Sequence, residues 1–215
     1  MAHSAIAAPT ATPTALAADR RTAEILDRIW QVFATKGFDG ASMQDLARAA
    51  DMSVGNFYRY FPSKAAIIDA MISRDLDEIE QKFAVIIDSA DPMTSLRATL
   101  EQRISTEVCA AEGPMMAEIT AVALRKPEIG EVMMRMEKVI THYLMTVFAL
   151  ATGLPHEEVT RRFTAHAGLI MILVKGCSMS PRKGGATESD LLAVVLRTID
   201  SVLAEVSDAG LKGNS

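Results

Sequence analysis

Residues 42–64 read SMQDLARAADMSVGNFYRYFPSK, and the spacing within this stretch decides the fold of the first part of the chain. Ser42 stands three residues before Asp45, a capping-box arrangement, and Met43, Leu46, Ala47 and Ala50 line one face of the short helix that follows. A tight turn is expected at Asp51 and Met52. Ser53 then caps a second short helix that carries Val54, Phe57 and Phe61 inward and leaves Gly55, Asn56, Tyr58, Arg59 and Tyr60 outward. Two short helices joined in this way form a helix-turn-helix, whose second helix enters a DNA major groove. The outward residues suit that task. Gly55 lets backbone approach the duplex, Asn56 and Arg59 reach base edges, and Tyr58, Tyr60 and Lys64 reach phosphates. The full candidate DNA-binding set is Arg21, Ser42, Met43, Ser53, Val54, Gly55, Asn56, Tyr58, Arg59, Tyr60 and Lys64.

From Arg21 to about Met71 the chain resembles the DNA-binding region of the tetracycline-repressor (TetR) family. The similar stretch is ILDRIWQVFATKGFDGASMQDLARAADMSVGNFYRYFPSKAAIIDAMI, and its most specific piece is the aromatic run Phe57-Tyr58-Arg59-Tyr60-Phe61 followed by Pro62-Ser63-Lys64. The detailed resemblance covers about a quarter of the chain. It departs from the family at Asp51, where glycine is usual, and at Asn56, where threonine or alanine is more frequent. The resemblance implies a dimeric regulator, a repressor rather than an activator, with a small effector held among the later helices.

Composition agrees with DNA contact at one end only. The chain has 215 residues, 49% hydrophobic, enough for a sizeable core, with a formal charge of −5. Residues 20–64 hold seven Lys/Arg against five Asp/Glu, which is +2 and leaves −7 for the remainder. A mildly basic module on an acidic body touches DNA locally and does not coat it. The longest apolar run, Ala167–Val174, is too short to span a bilayer. The first residues lack any Lys or Arg before Arg20 and are interrupted by Pro9 and Pro13, a poor secretory signal that reads as a disordered arm. Cys109 and Cys177 have no CxxC spacing, which argues against a disulfide framework and for a reducing cytoplasm.

The expected fold is all-α, with about nine helices: an arm over 1–19, a three-helix DNA-binding domain over 20–66, and a helical effector-binding and dimerisation domain over 67–215. Ile25, Leu26, Ile29, Trp30 and Phe33 give helix 1 an apolar stripe that Gly37 ends. Ser63 caps a longer helix to about Asp88. Asp91-Pro92 opens the next helix and Gly113 closes it; Pro114 opens a short segment to Lys126, and Pro127 a long one ending near Gly153. Pro155 starts helix 8, and Thr187-x-x-Asp190 boxes helix 9. Phe163 to Val174 is apolar nearly all round, so it is buried on more than one side. The expected seam between two copies uses Phe163, Ala165, Gly168, Ile172, Leu191, Val195, Ile199 and Val202, in a four-helix arrangement. The alternative is that one copy's own core uses both faces.

The effector candidates are Phe83, Cys109, Met116, Ile119, Met134, His142, Tyr143 and His166. Methionine adapts to irregular apolar surfaces, so helices rich in Met115, Met116, Met133, Met134, Met136 and Met145 suit a hydrophobic ligand, although such residues also fill core gaps. Cys109, Cys177, His142 and His166 are scattered without metal-ligand spacing, and no cofactor or metal is expected. An enzyme is the competing class, but nothing places a nucleophile beside a base or supplies a phosphate-cradling loop. Two readings stay open beside a repressor with an effector: a regulator without one, and an activator.

Overall fold

The structure is a computed structural model that describes the backbone of residues 13–105, 107–180 and 186–213, with side chains described for 21–105, 113–180 and 188–210. Among the described residues it is all helix: α1 (Pro13–Gly40), α2 (Met43–Ala49), α3 (Val54–Tyr60), α4 (Lys64–Ile87), α5 (Pro92–Ser105), α6 (Glu107–Ala123), α7 (Pro127–Thr152), α8 (His156–Met179) and α9 (Ala186–Gly213). The chain divides into two units, residues 1–67 and 68–215. The first unit thus ends one residue beyond the expected 20–66 domain. Helix α1 begins at Pro13, so residues 13–19 of the expected arm are helical; residues 1–12 of that arm lie outside the described residues.

In the first unit the expected stripe of α1 buries Leu26, Ile29 and Phe33; α2, which packs on both α1 and α3, buries Leu46 and Ala47, and α3 buries Phe57. Helix α1 breaks at Gly37, whose φ of 70° and ψ of 165° suit glycine alone, and a short turn to Gly40 follows. Phe38 thereby folds back to stack on Phe33, ring centres 5.4 Å apart.

The second unit centres on α7, which packs against α5, α6, α8 and α9. Its buried face, including Leu144, Met145, Val147 and Phe148, joins Phe83 and Ile86 of α4, Leu96 and Ile104 of α5, Phe163 and Ile170 of α8, and Ile199 and Leu203 of α9. Gly153 ends α7 in a left-handed conformation (φ 69°), its N–H donating to the Ala149 carbonyl.

The expected boundary at Gly113-Pro114 is absent: α6 runs from Glu107 through both residues to Ala123. Tertiary packing overrides the local signal. A Cβ built on Gly113 would lie 2.0 Å from the Ser178 carbonyl oxygen of α8, so glycine is what lets the two backbones touch. Pro114 costs α6 one N–H donor, and the contact with α8 holds the helix through that gap. Helix α5 ends at Ser105 and α6 begins at Glu107, and the side chain of Thr187, expected to box α9, lies outside the described residues.

Gly113→Ala should therefore lower stability by about 1–3 kcal/mol or more, since backbone must shift to admit the methyl. Chemical denaturation of the two proteins checks this; an unchanged midpoint would mean that α6 and α8 do not meet as described.

Candidate nucleic-acid interface

A seven-residue helix is too short to hold itself in water, so α3 depends on what fixes its ends. At its start Ser53 accepts from the Asn56 N–H at 3.3 Å. One side chain, Phe57, is fully buried, and it packs on Phe61 with ring centres 5.3 Å apart. Everything else on α3 faces out. Gly55, Asn56, Tyr58, Arg59 and Tyr60 are all exposed, Tyr60 by 63%. Val54 is also exposed, by 40%, so its expected inward packing with Phe57 and Phe61 is not realised; at the first position of α3 it points past the core. No Cβ contact lies within 4 Å of Gly55, so the open first turn presents bare backbone.

Helix α2 is held by the expected capping box. The Ser42 hydroxyl accepts from Asp45 N–H at 3.1 Å, and Asp45 Oδ2 accepts from the Ser42 N–H at 3.0 Å. Lys36 of α1 adds a donor to Asp45 Oδ1 at 2.7 Å. The Lys36 hydrogen bond first, and the Ser42 bonds after it, hold the Asp45 carboxyl well below the usual carboxylate range. The end of α2 explains the unusual turn. Met52 N–H donates to the Ala47 carbonyl and Asp51 N–H to the Arg48 carbonyl, a Schellman closure that puts Asp51 in the left-handed region at φ 55°. Aspartate visits that region more readily than most side chains.

Lys64 is not placed as expected. Its ammonium donates to the carbonyls of Phe38 (2.6 Å) and Asp39 (3.2 Å) and sits 5.2 Å from the centre of the Phe38 ring. These are the carbonyls that the break at Gly37 releases. Lys64 therefore ties the start of α4 to the end of α1 and is removed from the phosphate-contacting set. Arg21, Ser42 and Ser53 are exposed and Met43 is half-buried; the two serines act first as caps.

The effector candidates are not gathered into one site. Phe83 is buried and stacks on Tyr143 with ring centres 5.0 Å apart; burial, and then the charge and hydrogen bond of Glu80, push the Tyr143 phenol up, so it stays protonated. Ile119 is buried and Met116 half-buried, but Met134 is 53% exposed. His142 is exposed and lies beside His156, while His166 Nε2 pairs with Glu205 Oε2 at 3.2 Å. The Cys109 side chain lies outside the described residues.

The expected seam needs a similar correction. Phe163, Val195, Ile199 and Val202 belong to the core of this copy, because α8 and α9 turn those positions toward α7 and α5. The apolar residues left open are Ala165, Leu169, Ile172, Leu191 and Val194, with open space around Gly168 and Gly176. Leu169 and Val194 lay outside the expected set, although they follow from the helical period once the core face is known.

Residues 25–71 match a family described as "Bacterial regulatory proteins, tetR family". Over 121 residues the chain is 32% identical to the HTH-type transcriptional repressor KstR2 of Rhodococcus jostii, covering 56% of this chain and 55% of that protein; the matched segment thus spans about half of that relative. Salmonella enterica GusR shares the fold with a TM-score of 0.69 at 22% identity, over 88% of this chain and 96% of GusR. AibR, solved in complex with isovaleryl coenzyme A and operator DNA, does so with a TM-score of 0.60 at 19% identity, over 83% of this chain and 97% of AibR. KstR2 is a transcriptional repressor.

Two outcomes test the interface. Lys64→Ala should lower the unfolding midpoint, because two carbonyls lose a charged donor worth about 1.5–3 kcal/mol, and should leave the salt dependence of DNA binding unchanged. Tyr58→Ala should do the reverse, weakening DNA binding at an unchanged midpoint.

A further outcome concerns acid. Because the folded Asp45 pKa is depressed, its contribution is fully present above the unfolded value of about 3.9 and is lost as pH falls below that value. Asp45→Asn should thus be less stable than the parent at pH 7, and the difference should shrink below about pH 4. Thermal melts across pH 7 to 3 read this directly; a difference independent of pH would remove the carboxylate from the account.

Proposed function

We propose, from the match of residues 25–71 to the tetR-family model, that the chain is a one-component transcriptional repressor of that family. It binds a near-palindromic operator as a homodimer in the cytoplasm and is released by a small hydrophobic effector. The observation that carries the reading is α3: a capped helix with one buried side chain and an entire outward face of Asn56, Tyr58, Arg59 and Tyr60. Such a helix has no packing role that would account for that face. Asn56 and Arg59 read base edges, and Tyr58 and Tyr60 fix register on phosphates.

Dimerisation is assigned to the open face of α8 and α9. Ile172 (67% exposed), Leu191 (53%), Val194 (49%) and Leu169 (39%) form an apolar surface that water covers in a single copy. Gly168 and Gly176 leave room for another helix to lie close. A two-fold axis through this face would present two reading heads to one duplex.

The effector is assigned to the second unit, in keeping with AibR, whose structure holds isovaleryl coenzyme A together with operator DNA. Helix α4 has its first turn in the first unit and the rest in the second, so it is the covalent route from effector to reading head.

Selection from a pool of random duplexes should return a near-palindrome whose half-sites lie about 34–36 Å apart, or a multiple of that spacing. Asn56→Ala and Arg59→Ala should relax preference at single base pairs. Ile172→Glu should yield a monomer in sedimentation and weaken operator binding at least about tenfold, because a carboxylate would be buried unpaired in the seam. A parent protein that sediments as a monomer at micromolar concentration, and binds one half-site as tightly as two, would overturn the reading.

A further inference from the structure

Folding brings His142 of α7 beside His156 at the start of α8, two residues fourteen apart in sequence that no motif links. Their ring centres are 5.5 Å apart and their planes meet at 42°. Both side chains are exposed, so the pair is not packing inside the core. The local hydrogen bonds set the state of one ring. The Thr160 hydroxyl donates to the His156 carbonyl at 2.8 Å, so the oxygen facing His156 Nδ1 at 3.4 Å offers a lone pair. The Nδ1–H tautomer of His156 satisfies this contact and leaves the Nε2 lone pair open to a ligand. An outer partner that fixes the tautomer in this way is the usual companion of a metal-binding histidine.

We propose that His142 and His156 chelate one late divalent cation of the zinc, nickel or copper class. Two imidazoles bound to one tetrahedral zinc at about 2.0–2.1 Å through nitrogen bring their ring centres to about 5 Å, near the observed spacing. Imidazole nitrogen favours these metals over magnesium or calcium, which take oxygen ligands. Among the described residues no group of three or more His, Cys, Asp or Glu side chains surrounds the pair. The protein therefore fills two coordination positions, and water or a carboxylate from solution fills the others. The site joins α7 to the N-terminal end of α8 across the Gly153 turn, so an occupied site staples two helices of the second unit. It stands apart from DNA reading and does not depend on it.

The test uses the full-length chain carrying His3→Ala. Removing this histidine leaves His142, His156 and His166 as the histidines of the chain. Zinc chloride is titrated by calorimetry into this protein and into its His142→Ala and His156→Ala versions, with helical circular dichroism confirming that each is folded. One zinc should bind per chain, and its affinity should fall at least about tenfold in each version, since removing a ligand costs no less than removing an outer partner. Saturating zinc should also raise the unfolding midpoint of the parent but of neither variant, because the ion binds only when the two helices are in place. A variant that binds as tightly as the parent, or a parent midpoint that zinc does not move, overturns the proposal.

Discussion

The reading head rests on one constraint: helices of seven residues have too few internal hydrogen bonds to persist alone, so their ends must be held from outside. Four of the ends in the first unit are met by a specific donor, acceptor or turn. Lys36 and Ser42 hold Asp45 at the start of α2, the Asp51 turn closes its end, and Ser53 opens α3. Lys64 reaches back to the carbonyls freed at Gly37. Because the ends are held by polar contacts, the outward face of α3 is left without structural duties. That freedom leaves it open to carry the residues proposed to contact a duplex.

The first unit was legible in the sequence because its signals are local. The interval from Ser42 to Asp45, the glycine at 37 and the run Phe57 to Phe61 each act within a few residues, and the structure realises them there. Lys64 was misread because a lysine after an aromatic run carries the same letters whether it meets a phosphate or two backbone carbonyls. Its partners lie 25 and 26 residues back, beyond any local period. Val54 was misread for a related reason: the first position of a short helix is not bound to the apolar stripe of the rest.

The second unit was legible as helices and less so as surfaces. Gly113-Pro114 reads as a boundary by every local rule, yet a contact with Ser178, sixty-five residues on, keeps the helix intact. Helices α8 and α9 are apolar on two faces, and periodicity cannot tell which face meets α7. Only the packed arrangement separates Phe163 and Ile199, in the core, from Ile172 and Leu191, in the open. The meeting of His142 and His156 is likewise a product of the hairpin between α7 and α8.

The seat of the Ser178 carbonyl over Gly113 has a mechanical consequence. Helices separated by side chains can slide, since methyl groups and methylenes re-pack in small steps. Backbones in direct contact cannot. Sliding α6 along α8 would carry Gly113 off the seat and press the backbone of α8 against side-chain-bearing positions of the helix. Helices α6 and α8 are thus pinned like two leaves of a hinge at a single rivet. Shear is denied to them, and relative motion is confined to pivoting about that point.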